Sequence, residues 1–244
     1  MELIFLGTGP TGGVQNKGKS KRLESSALIK TPLVNVLVDV TRNFKQQSRL
    51  LPDTLDAVLI THAHLDAIGG IKDFLKWQIK KGGVVPIISL PETIAKIKAK
   101  FKASELLDLH QIQAFKKLQL GDLIVIPILV KHSIQRGFPT LGFHFSVGDK
   151  KLVYVSDTSG WNKKAERLMK NADVLVIDGA MWGKKIASHL TIQQILPTLC
   201  KWPVKKIIFT QIGHTAPRHQ ILQKEIQKIC PKVLPAYDGM RLKT

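Results

Sequence analysis

The sequence predicts an α/β protein in four layers, α/β/β/α, with two mixed β-sheets packed together and helices on the outside. Three observations lead there. Strand-like apolar runs recur along the whole chain, helical patterns fall between them, and the two do not alternate as simple βαβ units. Early strands come in hairpin-like clusters, and later ones alternate with helices.

The strands are 2-ELIFLG-7, 26-SALIK-30, 33-LVNVLVDV-40, 57-AVLITH-62, 84-VVPIIS-89, 123-LIVIPILV-130, 141-LGFHFSV-147, 151-KLVYVS-156, 173-DVLVID-178 and 206-KIIFTQ-211. A helix over 66–80 puts Ile68, Ile71, Phe74, Leu75 and Ile79 on one face. Further helices are expected over 91–103, opened by Pro91, and over 161–171, 191–201 and 218–229. Thr191 and Gln194 stand at capping-box spacing. The polar stretch 10–25 reads as a loop near a functional site. No linker rich in Pro, Gly or Ser and no fixed short repeat divides the chain, so residues 1–244 read as one domain.

Composition narrows the function. Apolar residues make up 44% and charged residues 23%, an ordinary globular balance, and no apolar run is long enough for a membrane span. MELIFLGTG lacks a basic start and turns to glycine early, which fits a first strand better than a signal peptide. Two cysteines are too few for a disulfide framework, and a reducing cytoplasm is the expected compartment. Lys and Arg total 37 against 18 Asp and Glu, a net charge of +19 that favours an anionic partner. The lysines are spread along the chain, many on what should be solvated helix faces, and aromatics are only 6%. A nucleic-acid stacking platform is therefore not favoured.

Chemistry gathers at strand ends. In 59-LITHAHLDAIGG-70, His62 and His64 leave a strand two residues apart, which puts both imidazoles on one side of an extended backbone. Asp66 follows where a helix begins, as a helix cap, a metal ligand or both. His132, Asp157, His189 and His214 stand in comparable places, after apolar runs or before a helix. Each alone reads more simply as a cap, turn or core residue; their repetition points to an assembled site. His110, His144 and His219 lack this setting and read as structural.

These residues carry a resemblance. FLGTGPTGG, THAHLDAIGG, VKHS, YVSDTSG, SHLT, IIFTQIGH and AYDGMRL occur in the order seen in the metallo-β-lactamase superfamily. Its phosphonate-pathway cyclic phosphodiesterase (PhnP-like) branch is the part this chain resembles, over nearly its whole length. The resemblance implies a metal-dependent hydrolase, a phosphodiesterase acting on a small cyclic or nucleotide-like phosphate ester through a metal-activated water. It implies one tight site for a divalent metal from His62, His64, His132 and Asp157, with zinc expected and manganese or iron as alternatives. A second ion would use Asp66 and Asp157, but Ala67 and Gln211 replace its two histidines, so one ion is the first expectation and two the second. His214 matches a further family histidine, and no cysteine precedes Cys200 to build the structural zinc site of some relatives. Asp66 would then be free to accept or orient the water's proton, and His189 would act on the leaving oxygen. Asp39, closing a strand, would fix an imidazole tautomer or simply form a turn. The expected partner is a small anionic phosphate ester, with a homodimer and no membrane. An RNA-processing nuclease of the tRNA-maturing type, a non-catalytic metal- or nucleotide-binding relative, and thioester or lactone hydrolysis are the competing readings.

Overall fold

The computed structural model describes residues 1–101, 106–132 and 138–244. Lys102 and Ala103 of the expected 91–103 helix, and Ser133 of VKHS, lie outside the described residues.

The first sheet starts with β1 (Glu2–Gly7), β2 (Ser26–Lys30) and β3 (Asn35–Val38), antiparallel neighbours. It continues in parallel through β4 (Ala57–Leu59), β5 (Ile87–Ser89) and β6 (Leu109–Gln111). The second sheet contains β7 (Leu118–Leu120), β8 (Leu123–Lys131), β9 (Thr140–Val147), β10 (Lys150–Val155), β11 (Gly160–Trp161), β12 (Val174–Asp178), β13 (Lys206–Thr210) and β14 (Val233–Pro235). Its order is β11-β8-β9-β10-β12-β13-β14, with β7 paired to β8; it is antiparallel as far as β10 and parallel from there to β14. Finally β15 (Arg241–Lys243) returns to the first sheet beside β1.

The helices are α1 (Phe44–Gln47), α2 (Leu65–Ile68), α3 (Ile71–Lys81), α4 (Pro91–Phe101), α5 (Lys163–Lys170), α6 (Ile192–Cys200) and α7 (His219–Ile229). Three apolar interfaces make the four layers. Between the sheets lie Leu3, Phe5, Val36, Val38, Phe143 and Val176. The alternate residues Ile4, Leu6 and Leu37 face outward onto Phe44, Ile71, Phe74 and Ile94 of α1, α3 and α4. On the far side Leu175 and Ile177 meet Ala165, Met169, Leu196, Leu222 and Ile226 of α5, α6 and α7. Strands buried on both faces read as continuous apolar runs rather than alternating ones, and the sequence has that pattern. Each fully buried Leu, Ile or Phe adds about 1.5–3 kcal/mol.

Three details differ from expectation. The 66–80 helix is two helices, because residues 69 and 70 press backbone against backbone. A Cβ on Gly69 would lie 2.3 Å from Leu65 O, and one on Gly70 would lie 2.0 Å from Thr41 O. Val40 N–H to Ala67 O (2.8 Å) and Gly70 N–H to Val40 O (2.9 Å) tie α2 to the exit of β3. Second, β6, β7, β11, β14 and β15 are two or three residues long, too short for a periodic signal. Third, the two cysteines make one bridge: Cys200 at the end of α6 is joined to Cys230 just past α7, Cα atoms 5.7 Å apart. Among the described residues no helix is long and apolar enough to cross a membrane.

Candidate metal centre

β4 ends at Leu59, and the chain then carries Thr61, His62 and His64 out of the sheet into α2, with His64 as N-cap. Asp39 sits at the end of neighbouring β3 in the left-handed region, φ 63°. Its carboxylate accepts from Thr61 N–H (2.8 Å) and from the Thr61 hydroxyl (2.9 and 3.0 Å). That hydroxyl also lies 2.8 Å from His62 Nδ1. Burial pushes the Asp39 pKa well up; with its carboxylate ionised, the hydroxyl proton goes to Asp39, His62 Nδ1–H donates to the hydroxyl and Nε2 keeps the lone pair. Asp39 thus orients His62 through Thr61.

His132, just past β8, donates from Nδ1 to the Ser188 carbonyl at 2.9 Å, again leaving Nε2 free. His132 Nε2 lies 3.3 Å from His64 Nδ1. Two nitrogens bound at 2.0–2.1 Å to one tetrahedral ion would stand about 3.3–3.4 Å apart. Burial lowers the pKa of His62, and burial with His62 and His132 nearby brings His64 down to about 4. Both are therefore neutral at pH 7, the form that ligates metal.

The carboxylates complete the cluster. His62, His64 and His132 form one group of convergent ligand atoms, His62, Asp66 and Asp157 a second, and His132, Asp157 and His189 a third. Asp157 follows β10; burial opposes its charge, but His62, His132 and His189 outweigh burial and hold it below the usual range. Asp66 Oδ2 accepts from the Thr11 hydroxyl at 2.5 Å. Asp66 Oδ1 and His62 Nε2, 3.7 Å apart, are both buried with no hydrogen-bond partner among the described residues. Two facing lone-pair acceptors cannot satisfy each other, and leaving them bare is costly. A cation held by His62 Nε2 takes up that lone pair and lies close enough to offset the Asp66 charge, so these residues fit a divalent ion.

His189 stands beside this group, its ring 4.8 Å from that of His132. Its Nδ1–H donates to Asp178 Oδ2 at 2.6 Å, and Asp178 is held in turn by Thr158 N–H (2.9 Å) and Ala180 N–H (2.8 Å). Burial disfavours the imidazolium, but Asp178, with Asp157 and Asp66, prevails and raises His189 to about 9.

At the two positions where the family pattern is broken, Ala67 packs into the outer core, and Gln211 turns inward. Gln211, in the left-handed region at φ 59°, donates from Nε2 to Asp157 Oδ1 at 2.5 Å. His214 does not join the cluster; it is exposed and borders a separate recess with Arg22. His110 is exposed beside Asp108, while His144 and His219 are buried elsewhere.

Sequence reasoning missed four residues here: Thr61, Asp178, Thr11 and Phe138. Asp178 could have been found, since it ends the run VLVID as Asp157 follows VYVS. Thr61 is visible only once Asp39 is placed beside it. Thr11 and Phe138 left no signal; Phe138 stacks on His64 at 4.2 Å between centroids, with Lys96 Nζ 3.5 Å from the Phe138 centroid.

Residues 34–212 match the model of the beta-lactamase superfamily domain. With the two-sheet sandwich and its His/Asp cluster, the chain belongs to the metallo-β-lactamase superfamily, and within it resembles PhnP-like proteins. A crystal structure of a new diphosphatase from the PhnP family superposes with TM-score 0.86 at 24% identity, covering 100% of this chain and 97% of that one. Zn(2+)-bound PqqB from Methylobacterium extorquens gives 0.84 at 16% identity, covering all of both chains. An octanoyltransferase of Porphyromonas gingivalis (strain ATCC BAA-308 / W83) is 26% identical over 98% of this chain and 51% of its own length. The chain thus spans about half of that curated relative.

Proposed function

We propose that this chain is a metal-dependent phosphodiesterase acting on a small phosphate ester with a single divalent ion, zinc in the first instance. The carrying observation is the convergence of ligand atoms in overlapping groups around His62, whose Nε2 has no hydrogen-bond partner among the described residues: His62, His64, His132 and Asp157 would hold the ion. Bound there, such an ion supplies a Lewis acid and lowers the pKa of water toward ~7.

The chain's own residues supply the proton traffic. Thr11 fixes Asp66 by one oxygen and leaves Oδ1 facing the cluster, where it accepts the proton of the attacking water. His189, protonated up to about pH 9 and steadied by Asp178, donates to the leaving oxygen. Asp39 and Thr61 keep the His62 lone pair aimed inward. The Gln211 amide engages one Asp157 oxygen from the position where the family pattern has a second-site histidine, which supports one ion rather than two. The charge of +19 suits an anionic substrate. A PhnP-family diphosphatase among the fold neighbours agrees with phosphate chemistry. The name octanoyltransferase belongs to a protein of which this chain matches about half.

The test is elemental analysis of protein purified without chelator, joined to hydrolysis of bis-p-nitrophenyl phosphate and of an octanoyl thioester. The expected result is about one equivalent of metal and turnover of the diester only. A metal-free protein, or turnover of the thioester alone, defeats the proposal.

A further inference from the structure

Glu24 is a buried acid outside the His/Asp cluster, only 1% exposed, just ahead of β2. Its carboxylate collects donors from two segments of the chain. Oε1 accepts from Gly12 N–H (2.8 Å) and from Arg42 Nε–H (2.8 Å), with Arg42 Nη2 beside it. Oε2 accepts from Arg42 N–H at 2.9 Å. Bonds to an ionised acceptor are about twice as strong as neutral ones. The Glu24 backbone is held as well: its N–H donates to Asn43 Oδ1 (2.9 Å), and its carbonyl accepts from Gln47 Nε2 (2.7 Å).

The first segment is the turn over residues 10–13. Gly13 N–H closes it onto Pro10 O at 2.7 Å, and Gly12 and Gly13 stand in the left-handed region at φ 84° and 67°. Gly12 is exposed, and nothing lies within 4 Å of where its Cβ would be, so packing does not hold it. Two successive glycines leave many conformations open, and the Gly12–Glu24 bond restricts them. Thr11, within the same turn, donates to Asp66 Oδ2 at 2.5 Å.

The second segment leads to Asp66 by another route. Arg42 Cγ lies 2.5 Å from where a Cβ on Gly69 would stand, and Gly69 is the C-cap of α2, the helix that carries Asp66. One buried carboxylate therefore ties the turn that grips Asp66 to the strand exit that packs on its helix. With Oδ2 taken by Thr11, Asp66 Oδ1 faces His62 Nε2 at 3.7 Å. Misplacing a reacting group by about 1 Å can cost about 100-fold in rate.

We propose that Glu24 is a positioning residue for the base: through Gly12 it holds the Thr11 turn, and through Thr11 it sets the aim of Asp66. The inference rests on the phosphodiesterase reading, and the test separates the two. Glu24→Met, Glu24→Gln, Thr11→Val and Glu24→Met/Thr11→Val are compared with wild type on bis-p-nitrophenyl phosphate, all loaded with zinc. Methionine fills the space and removes the acceptors, and the stripped donors reach water, since Gly12 is exposed and the Arg42 side chain is 41% exposed. Glu24→Met should lower kcat about tenfold, with KM and zinc content at wild-type values. The double variant should be no slower than Thr11→Val alone, because both changes act through one hydroxyl. Glu24→Gln should recover most of the turnover, since its amide oxygen still accepts from Gly12 N–H; a role through charge alone would leave it as slow as Glu24→Met. Wild-type kcat in Glu24→Met, independent losses in the double variant, or no recovery in Glu24→Gln overturns the proposal. If wild type cleaves nothing, the phosphodiesterase reading fails, and Glu24 is judged by urea midpoints in chelator. Shifts for Glu24→Met and Thr11→Val that fail to add uphold the link through the turn, and additive shifts overturn it. Should Glu24→Met not fold, Gly12→Pro removes the same bond from an exposed turn and takes its place beside Thr11→Val, with the same outcomes deciding.

Discussion

Thr61→Val tests whether the Asp39–Thr61–His62 chain sets the centre. Valine keeps the shape and removes the hydroxyl, which contacts Asp39 at 2.9 and 3.0 Å and His62 Nδ1 at 2.8 Å. The buried Asp39 carboxylate then retains only the Thr61 N–H at 2.8 Å, and a buried Nδ1–H has no acceptor. Each buried polar group left short costs about 1–3 kcal/mol, so the metal-free protein should lose roughly 2–6 kcal/mol. That is a large share of a typical stability of about 5–15 kcal/mol. The imidazole also loses the bond that fixes its tautomer, which should weaken metal binding about 10–100-fold. Thr61→Ser is the control, since it keeps the hydroxyl and drops only a methyl, at about 1 kcal/mol. Urea unfolding in chelator reads the first effect, and zinc competition against a chromophoric chelator reads the second. Should Thr61→Val bind zinc as tightly as wild type and Thr61→Ser, the hydroxyl does not orient His62 and the tautomer argument is wrong.

Other consequences follow from the same geometry. His64→Ala should strip most bound metal and lower the melting temperature of the loaded protein, because binding free energy adds to folding; wild-type stoichiometry in that variant would remove His64 from the ligand set. Asp66→Asn and His189→Ala should each keep most metal yet cut turnover of a phosphodiester by about two orders of magnitude; full rates in both would end the acid–base roles. Ala67→His with Gln211→His should raise metal content from about one toward two per chain, each single change doing less, as elemental analysis would show; an unchanged ratio in the folded double variant would leave the one-ion state needing another cause. Asp178 raises the folded pKa of His189 above 6.5 to about 9, so the pair's stabilisation is complete below 6.5 and fades as pH rises through about 9. Urea midpoints of chelator-treated protein should follow that fall, Asp178→Asn should flatten it, and a wild-type slope in the variant would dismiss the pair as its source.

The layers were legible because their cause is in the sequence: strands buried on both faces must be apolar throughout, and 33–40, 123–130 and 173–178 are nearly so. Residues at strand exits were legible for a related reason, since a polar residue ending an apolar run marks where the sheet meets solvent or a site. His62, His64, His132, Asp157 and Asp66 all announce themselves that way. The break between α2 and α3 was hidden, because it depends on Thr41 O approaching Gly70, a contact made across the fold. Thr11 and Phe138 were hidden for the same reason: nothing local distinguishes them until Asp66 and His64 are placed beside them. The cysteine bridge likewise depends on where α6 and α7 end, not on spacing in the chain.

The substitutions at 67 and 211 read differently with the side chains in view. Ala67 is packed in the outer core, and Gln211 adopts a left-handed backbone, uncommon for a residue with a side chain, and places its amide nitrogen 2.5 Å from Asp157, while its Oε1 is buried without a hydrogen-bond partner among the described residues. The neutral Gln211 amide gives Asp157 a donor without adding charge. On the proposed reading the centre is thus built around one ion, with Asp66 left as a base because no second ion claims it.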